Sequence, residues 1–520
     1  MSEIKTIAIG IAALLVNIWP AVAASHEIPP AFGPYIHLSA KDFAASKTFT
    51  SHEKIVGTYY FYWYDAPSKT HITNYRVGTD GLTDHPPTLE DFSWKSVSWH
   101  KKQLSDMEAA GIDLALMVFW GAPSEQNPKS DLHWSYEGLK PLVQAREELL
   151  RAGKNPPAIG LFYDTSTLEN NAWREHVDLT TVRGKQWFYA TVRDFFSCIP
   201  AKHWAMIDNK PIVLLYAAAF AKNHDQTFVD YTKENFAKDF GGRVPYLAPQ
   251  NSWNVKGDNT CGWGGALGLI RTGIAELGPG YDDTAVYGRT PLIAKREGGK
   301  FYEDNWKKFL RAPSNFVMLE TWSEFHEGTD ICESKEYGRQ YIDLTRKYAD
   351  LFKQGWVPPR TTGKFTGAES VNITLGKQNH EQGLRLVEND DGQTTPGLAR
   401  NREARKVVPS DDKAHFIYFR ADDSFKWTNS MDAKLVVEYY DGKPGVFSVQ
   451  FDGSDISAPN CGAYTHVEKS VELTGGKTWK TADFELRGAR FCNSENKEAD
   501  FRLQVKAPEF FVRSVALMRQ

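Results

Sequence analysis

Cysteine is scarce in this chain: five residues in 520, at positions 198, 261, 332, 461 and 492, with no CxxC spacing and no zinc pattern. In an oxidising compartment Cys461 and Cys492, which share the C-terminal region, are the candidate disulfide pair, and the odd count leaves at least one buried structural thiol. Charge of one sign is also missing. Sixty-one Lys and Arg stand against 65 Asp and Glu, for a net charge of −4 and no long basic run, so no nucleic-acid partner is expected. No G-x-G-x-x-G follows the first predicted strand, and neither a P-loop nor an H-E-x-x-H appears, so neither cofactor nor metal is expected. Beyond the N-terminus no apolar run is long enough to span a bilayer.

What is present is aromatic. Trp, Tyr and Phe number 16, 22 and 30, or 13% of the chain, beside an ordinary 41% hydrophobic and 24% charged composition. Two large cores account for part of that excess, and 520 residues suit two domains. Flat aromatic faces also hold sugar rings, whose C–H faces are apolar and whose edges are polar. The N-terminus has the form of a signal peptide over residues 1–24: Lys5, then TIAIGIAALLVNIWPAVAA, closing on Ala21, Ala23 and Ala24. An uncleaved anchor is the alternative, and Pro20 with the A-x-A ending argues against it. The mature protein is expected to be secreted or periplasmic, with no membrane association after cleavage. The sequence leaves its oligomeric state open.

From Lys54 to Trp356 short apolar strands alternate with helical patterns. Strands are predicted at Lys54–Tyr64, Ile112–Gly121, Ala158–Asp164, Lys210–Ala217 and Val244–Gln250, with weaker candidates at ALGLI and GIAELGPG and a late strand FVMLETW. Helices are predicted at Val97–Gly111, Tyr136–Gly153, Gly184–Ile199, Gln226–Gly241, YEDNWKKFLRA and Lys335–Gly355. This alternation implies an α/β fold with a parallel sheet, and about eight units in about 300 residues fit a (β/α)8 TIM barrel over residues 50–357. A doubly wound open sheet is the alternative. After the linker candidate Pro358–Phe365 only strands follow, and residues 366–520 read as an all-β sandwich.

Barrel active sites lie at the C-terminal ends of the strands. Those ends offer Tyr62, Trp63 and Asp65 after the first strand, Trp120 after the second, Tyr163 and Asp164 after the third, Tyr216 after the fourth, and Asn251 and Trp253 after the fifth. Such a set suits a polyol ligand. Asp65 and Asp164 read equally as helix N-caps, Tyr60 and Phe61 as packing residues, and Gly57 and Gly160 as close backbone contacts. The late strand ends ETWSEFHEG, with Trp322, His326 and two carboxylates three apart, Glu324 and Glu327. Two carboxyls in a partly dry cleft push their pKa values apart, as glycosidic-bond cleavage requires. The plainer reading is a solvated turn, and the flanking Trp and Phe argue against it.

Four stretches, GTYYFYWYD, QLSDMEAAGIDLALMVFWG, PGYDD (Pro279–Asp283) and ETWSEFHEGTDICESKEYGRQYIDLT, together resemble the glycoside hydrolases around the endo-α-mannosidase family, meaning glycoside hydrolase family 99 and the related DUF5010 group. The resemblance covers roughly Lys54–Trp356 and implies a (β/α)8 barrel, a glycan substrate and a Glu-aromatic-His-Glu-Gly site. It implies that Glu324 deprotonates the substrate's own 2-hydroxyl, which attacks the anomeric carbon to give a 1,2-anhydro sugar, and that Glu327 acts as general acid and then base. The chain departs from the family pattern at Ser323, where Asn is expected, and at Phe325, where Trp is usual, which bears on the substrate more than on the reaction class. The C-terminal sandwich resembles a carbohydrate-binding module. Competing readings are a non-catalytic glycan-binding protein, a polysaccharide lyase and a deacetylase, the last of which would need a His/Asp metal cluster that the sequence does not show.

Overall fold

The computed structural model describes residues 26–389, 391–407, 415–426, 430–455 and 458–520. Residues 1–24, expected to be a signal peptide, and the side chain of Cys461 lie outside the described residues. Cys492, its candidate partner, is a buried free thiol.

The chain folds as two units. The first comprises the described residues up to Ile270 together with Ile274–Trp306 and Pro313–Trp356; the second comprises Arg271–Gly273, Lys307–Ala312 and Val357–Gln520.

In the first unit strands and helices alternate: β1 Ile55–Tyr60, α1 Val97–Ala109, β2 Leu114–Phe119, α2 Leu139–Arg151, β3 Ala158–Tyr163, α3 Val182–Ser197, β4 Lys210–Leu215, α4 Thr227–Asp239, β5 Tyr246–Pro249, β6 Ile274–Leu277, α5 Lys300–Arg311 (whose residues from Lys307 on are counted with the second unit), β7 Phe316–Leu319 and α6 Gln340–Gln354. All seven strands pair in parallel, in the order β6–β7–β1–β2–β3–β4–β5. Every residue of β1, β2 and β3 is buried, which is why these segments read as near-continuous apolar runs. Between β5 and β6 the expected strand ALGLI (Ala266–Ile270) is not formed, Gly265–Leu267 being a 3-10 turn, and the preceding Thr260 and Cys261 bond to the flanking strands. Cys261 N donates to Pro249 O at 3.3 Å, and Ile274 N donates to Thr260 O at 2.9 Å. The glycine-broken stretch CGWGGALG after them cannot extend that pairing.

Local chemistry sets the helix ends. Ser96 Oγ caps α1 by accepting from Trp99 N at 3.1 Å, and Thr181 Oγ1 caps α3 by accepting from Gly184 N at 3.0 Å. Gly355 ends α6 in the left-handed region at φ 78°. A short strand that the sequence did not suggest, Lys47–Phe49, pairs with Ala205–Ile207, which in turn pairs antiparallel with β4.

The second unit holds two antiparallel sheets. One centres on Phe511–Arg519, which pairs with Ser370–Thr374, Arg402–Val407 and Met431–Asp441. The other orders Leu384–Val387, His415–Ala421, Phe501–Lys506, Pro444–Phe451 and Thr465–Thr474. Apolar side chains of both, among them Leu435, Leu517, Phe447 and Leu503, form one buried cluster.

At Gly160 the strands of the first unit pack closely. A Cβ there would sit 2.4 Å from both Ile212 Cγ2 and Leu116 Cδ2. Gly160→Ala is therefore expected to lower stability by about 1–3 kcal/mol, the usual cost of overpacking a filled interior. Urea unfolding measures it, and a variant as stable as the parent contradicts the close approach.

Candidate functional site

β7 enters the site as a buried parallel strand, and the ten residues after it turn back on themselves. Trp322 N donates to Tyr59 O at 2.8 Å, Thr321 N to Thr329 O at 2.9 Å, and Thr329 N to Glu324 O at 3.2 Å. The Trp322 indole is fully buried and donates to Gln103 Oε1 at 2.7 Å. These bonds pin a turn that carries Glu324 and Glu327 into one cleft. Asp164 and Glu320 add carboxyls to its wall; Trp120, Tyr216, Trp263 and Tyr281 add aromatic surface.

The two glutamates are tuned differently. Glu324 Oε1 accepts from His326 Nδ1 at 2.7 Å and from His326 N at 3.1 Å. The other ring nitrogen, Nε2, donates to His71 O at 2.8 Å. A ring that donates from both nitrogens is an imidazolium. Burial works against that charge, but Glu324 and the His71 carbonyl outweigh it and raise the His326 pKa above the ordinary value. Glu324 Oε2 is buried and has no hydrogen-bond partner among the described residues.

Burial, and after it the negative charge of Glu324, raise the Glu327 pKa; Arg289 and Tyr281 oppose the rise. Arg289 Nη1 lies 2.8 Å from Glu327 Oε1 and 3.2 Å from Asp283 Oδ2. It rides on the hairpin that pairs Tyr281–Asp282 with Ile293–Ala294. Asp164 is likewise raised by burial; it accepts from Ser166 N at 3.0 Å as an N-cap and from the Trp120 indole. The cleft can thus hold a proton on one carboxyl while another stays charged.

Of the strand-end residues, Trp120, Asp164 and Tyr216 line this cleft with Glu324 and Glu327. The others stand outside its lining. The Tyr62 hydroxyl donates to Ser135 O at 2.8 Å, and Tyr163 OH lies 3.5 Å from Thr191 Oγ1 of α3. Their neighbours Phe61 and Phe162 face the cleft instead. Successive strand residues point to opposite sides, so choosing the residue with the polar tip moved the reading one position too far at both strands. Phe61, expected only to pack, forms part of the wall. Trp63 and His326 form a layer behind it, 5.6 Å apart ring to ring. Asp65 caps a turn, accepting from Ser93 Oγ at 2.5 Å and Ser68 N at 3.1 Å. Asn251 is exposed, while Trp253 and Trp322 are fully buried.

Glu320, Trp263, Tyr281 and Arg289 went unread. Glu320 and Tyr281 lie inside the ETW and PGYDD stretches; Trp263 is marked by the glycines around it, whereas Arg289 sits in a loop without pattern. Ser323 and Phe325 turn inward: Ser323 Oγ donates to Phe61 O at 2.8 Å, and Phe325 packs 5.5 Å from Tyr64. Among the described residues no group of three or more His, Cys, Asp or Glu could hold a metal ion, and no helix is long and apolar enough to cross a membrane.

Residues 37–372, well over half of the chain, match the family described as "Domain of unknown function (DUF5010)". The chain belongs to that family. It is similar to a glycoprotein endo-α-1,2-mannosidase-like protein of Mus musculus, at 26% identity over 149 residues, 24% of this chain. The match spans about a third (32%) of that relative's length. Among solved structures it is similar to a family 99 endo-α-mannosidase from Bacteroides thetaiotaomicron, at 15% identity and a TM-score of 0.36, covering 58% of this chain and 98% of that one. Its C-terminal region is similar to a family 29 carbohydrate-binding module from Piromyces equi, at 13% identity and a TM-score of 0.20, covering 29% of this chain and 92% of that one.

The two histidines should titrate far apart. Burial and the His326 charge pull His71 down to about 3, whereas His326 is raised. Histidine side-chain NMR should find His71 neutral throughout the mildly acidic range while His326 stays protonated above the ordinary histidine value of about 6.5. A normal midpoint for both rings contradicts the charge assignment.

Proposed function

We propose that this chain is a secreted glycoside hydrolase that cleaves a poly- or oligosaccharide with Glu324 and Glu327, on a (β/α)8 barrel followed by a carbohydrate-binding sandwich. For the barrel, the support is the run of seven parallel strands, with Thr260 and Cys261 hydrogen-bonded to β6 and β5. For the chemistry, a single observation carries most weight. Glu324 is held by one oxygen, and its other oxygen has no partner among the described residues.

The steps follow from that asymmetry. Glu324 Oε2 takes the proton of the sugar's 2-hydroxyl. The 2-oxygen forms a bond to the anomeric carbon as the glycosidic C–O bond breaks, and Glu327 delivers its proton to the leaving oxygen. Glu327, now a carboxylate, takes a proton from water as that water opens the 1,2-anhydro ring at the anomeric carbon, and Glu324 returns its proton to the 2-oxygen. The charged His326 ring is hydrogen-bonded to Glu324, and the burial that raises Glu327 suits it to carry the acid proton.

One observation favours a second reading, glycan binding without cleavage. The Arg289 guanidinium against Glu327 stabilises the carboxylate, and a general acid must carry a proton.

Glu324→Gln and Glu327→Gln are nearly isosteric and decide between the readings. Each should lower turnover by about 10²- to 10⁴-fold, the usual contribution of general acid–base assistance, with glycan binding largely kept. Aryl glycosides with good leaving groups should rescue the Glu327 variant more than the Glu324 variant. A parent that binds glycans but cleaves none in a broad panel supports the second reading, and parental turnover in both variants refutes the first.

A further inference from the structure

In the turn that carries Glu324 and Glu327, every backbone carbonyl from Phe325 to Asp330 is taken, mostly by donors from outside the turn. Thr83 N and Asp84 N donate to Phe325 O at 2.9 and 3.1 Å, and Thr83 Oγ1 donates to His326 O at 2.8 Å. Asp282 N donates to Glu327 O at 2.8 Å, and Thr321 N to Thr329 O at 2.9 Å. The remaining two carbonyls go to one side chain. Arg296 Nη2 donates to Gly328 O at 2.9 Å, and Nη1 donates to Asp330 O at 2.8 Å. A segment outside helix and sheet takes its shape from whatever satisfies these groups.

Arg296 stands two residues beyond the hairpin strand Ile293–Ala294; it is buried and does not line the cleft. Asp84 Oδ2 and Asp330 Oδ1 accept from its Nη2 at 2.8 and 3.0 Å and compensate its charge. The rings of Tyr337 and Tyr341 lie 4.3 and 4.6 Å from its Cζ and fix its plane. A planar fork reaches two carbonyls two residues apart at once, which the single nitrogen of a lysine cannot do. The Glu324 side of the turn is fixed separately: Glu324 N donates to Thr321 Oγ1 at 2.9 Å, and its carboxylate is held by His326. The backbone that follows Glu327 is what Arg296 holds.

We infer that Arg296 is a positioning residue: by gripping the carbonyls of Gly328 and Asp330 it sets where Glu327 stands relative to Glu324. It touches neither substrate nor reacting atoms and acts through the turn. The inference rests on the glycosidase reading of the cleft, in which Glu327 is the general acid. Proton delivery to a leaving oxygen tolerates little displacement of the acid, so a loosened grip costs most on substrates whose leaving group needs that proton.

The test is Arg296→Lys, which keeps the charge and loses the fork. On a glycan that the parent cleaves, kcat should fall about 10²-fold while KM stays within about twofold. Aryl glycosides with good leaving groups ask less of the acid and should lose at most about tenfold. Parental kcat, or an equal loss on both kinds of substrate, overturns the positioning role. Hydrogen–deuterium exchange reads the grip without any substrate. Amides of residues 325–331 should exchange faster in the variant while α1 keeps its parental protection, and parental protection across 325–331 overturns the grip. Asp84→Asn removes the charge of one Arg296 partner at nearly constant shape. It should show the same pattern more weakly, and it serves if Arg296→Lys fails to fold. If the parent cleaves no glycan, the glycosidase reading fails and the positioning role with it, whereas the exchange experiment still judges the grip separately.

Discussion

The geometry of the cleft depends on one ion pair, His326 with Glu324. A carboxylate that is 2% exposed must be compensated, and here the compensation comes from the residue two positions on, through its ring and its backbone N–H. The ring can serve only because its far nitrogen has the His71 carbonyl to bind. His71 itself is kept neutral by burial, so it supplies an acceptor without a second positive charge. One Glu324 oxygen is consumed by this arrangement, and the other is buried with no hydrogen-bond partner among the described residues. The negative charge so fixed acts in turn on Glu327, raising its pKa alongside burial.

The rest of the first unit holds that pair in place. β7 is buried between β1 and β6, and the turn after it is tied to Tyr59 and Gln103. The Glu327 side of the cleft is built differently: Arg289 arrives on a hairpin. The cleft thus joins a wall fixed by the sheet to one carried on a loop, and the ion pair spanning them opposes the rise that burial and Glu324 impose on Glu327.

The alternation of strands and helices was legible because β1 to β4 are buried along nearly their whole length, which leaves apolar runs, and because glycines and capping hydroxyls mark helix ends. The segment between β5 and β6 was not, since it makes only a few ladder bonds and is fixed instead by the side chains of Glu276 and Glu320, which lie far along the chain. In the C-terminal unit the longer strands, such as Met431–Asp441 and Phe511–Arg519, were readable. His380–Gln382 and Arg402–Val407 were not, because edge and near-edge strands rich in charge carry no alternating pattern. At the site, Trp120, Asp164, Tyr216, Glu324 and Glu327 were legible as strand-end residues, and Glu320 was not. Phe61 and Phe162 were passed over for their polar neighbours, and Arg289 carried no pattern to read.

The central claim is that Glu324 acts through the substrate's own 2-hydroxyl. The direct measurement uses a glycan that the protein cleaves and its analogue lacking that hydroxyl at the ring preceding the scissile bond. The account predicts that the 2-deoxy analogue binds in the cleft and competes with the parent glycan but is not turned over, because Glu324 Oε2 has no proton to remove and no internal nucleophile forms. Cleavage of the analogue at a rate comparable to that of the parent glycan would contradict it.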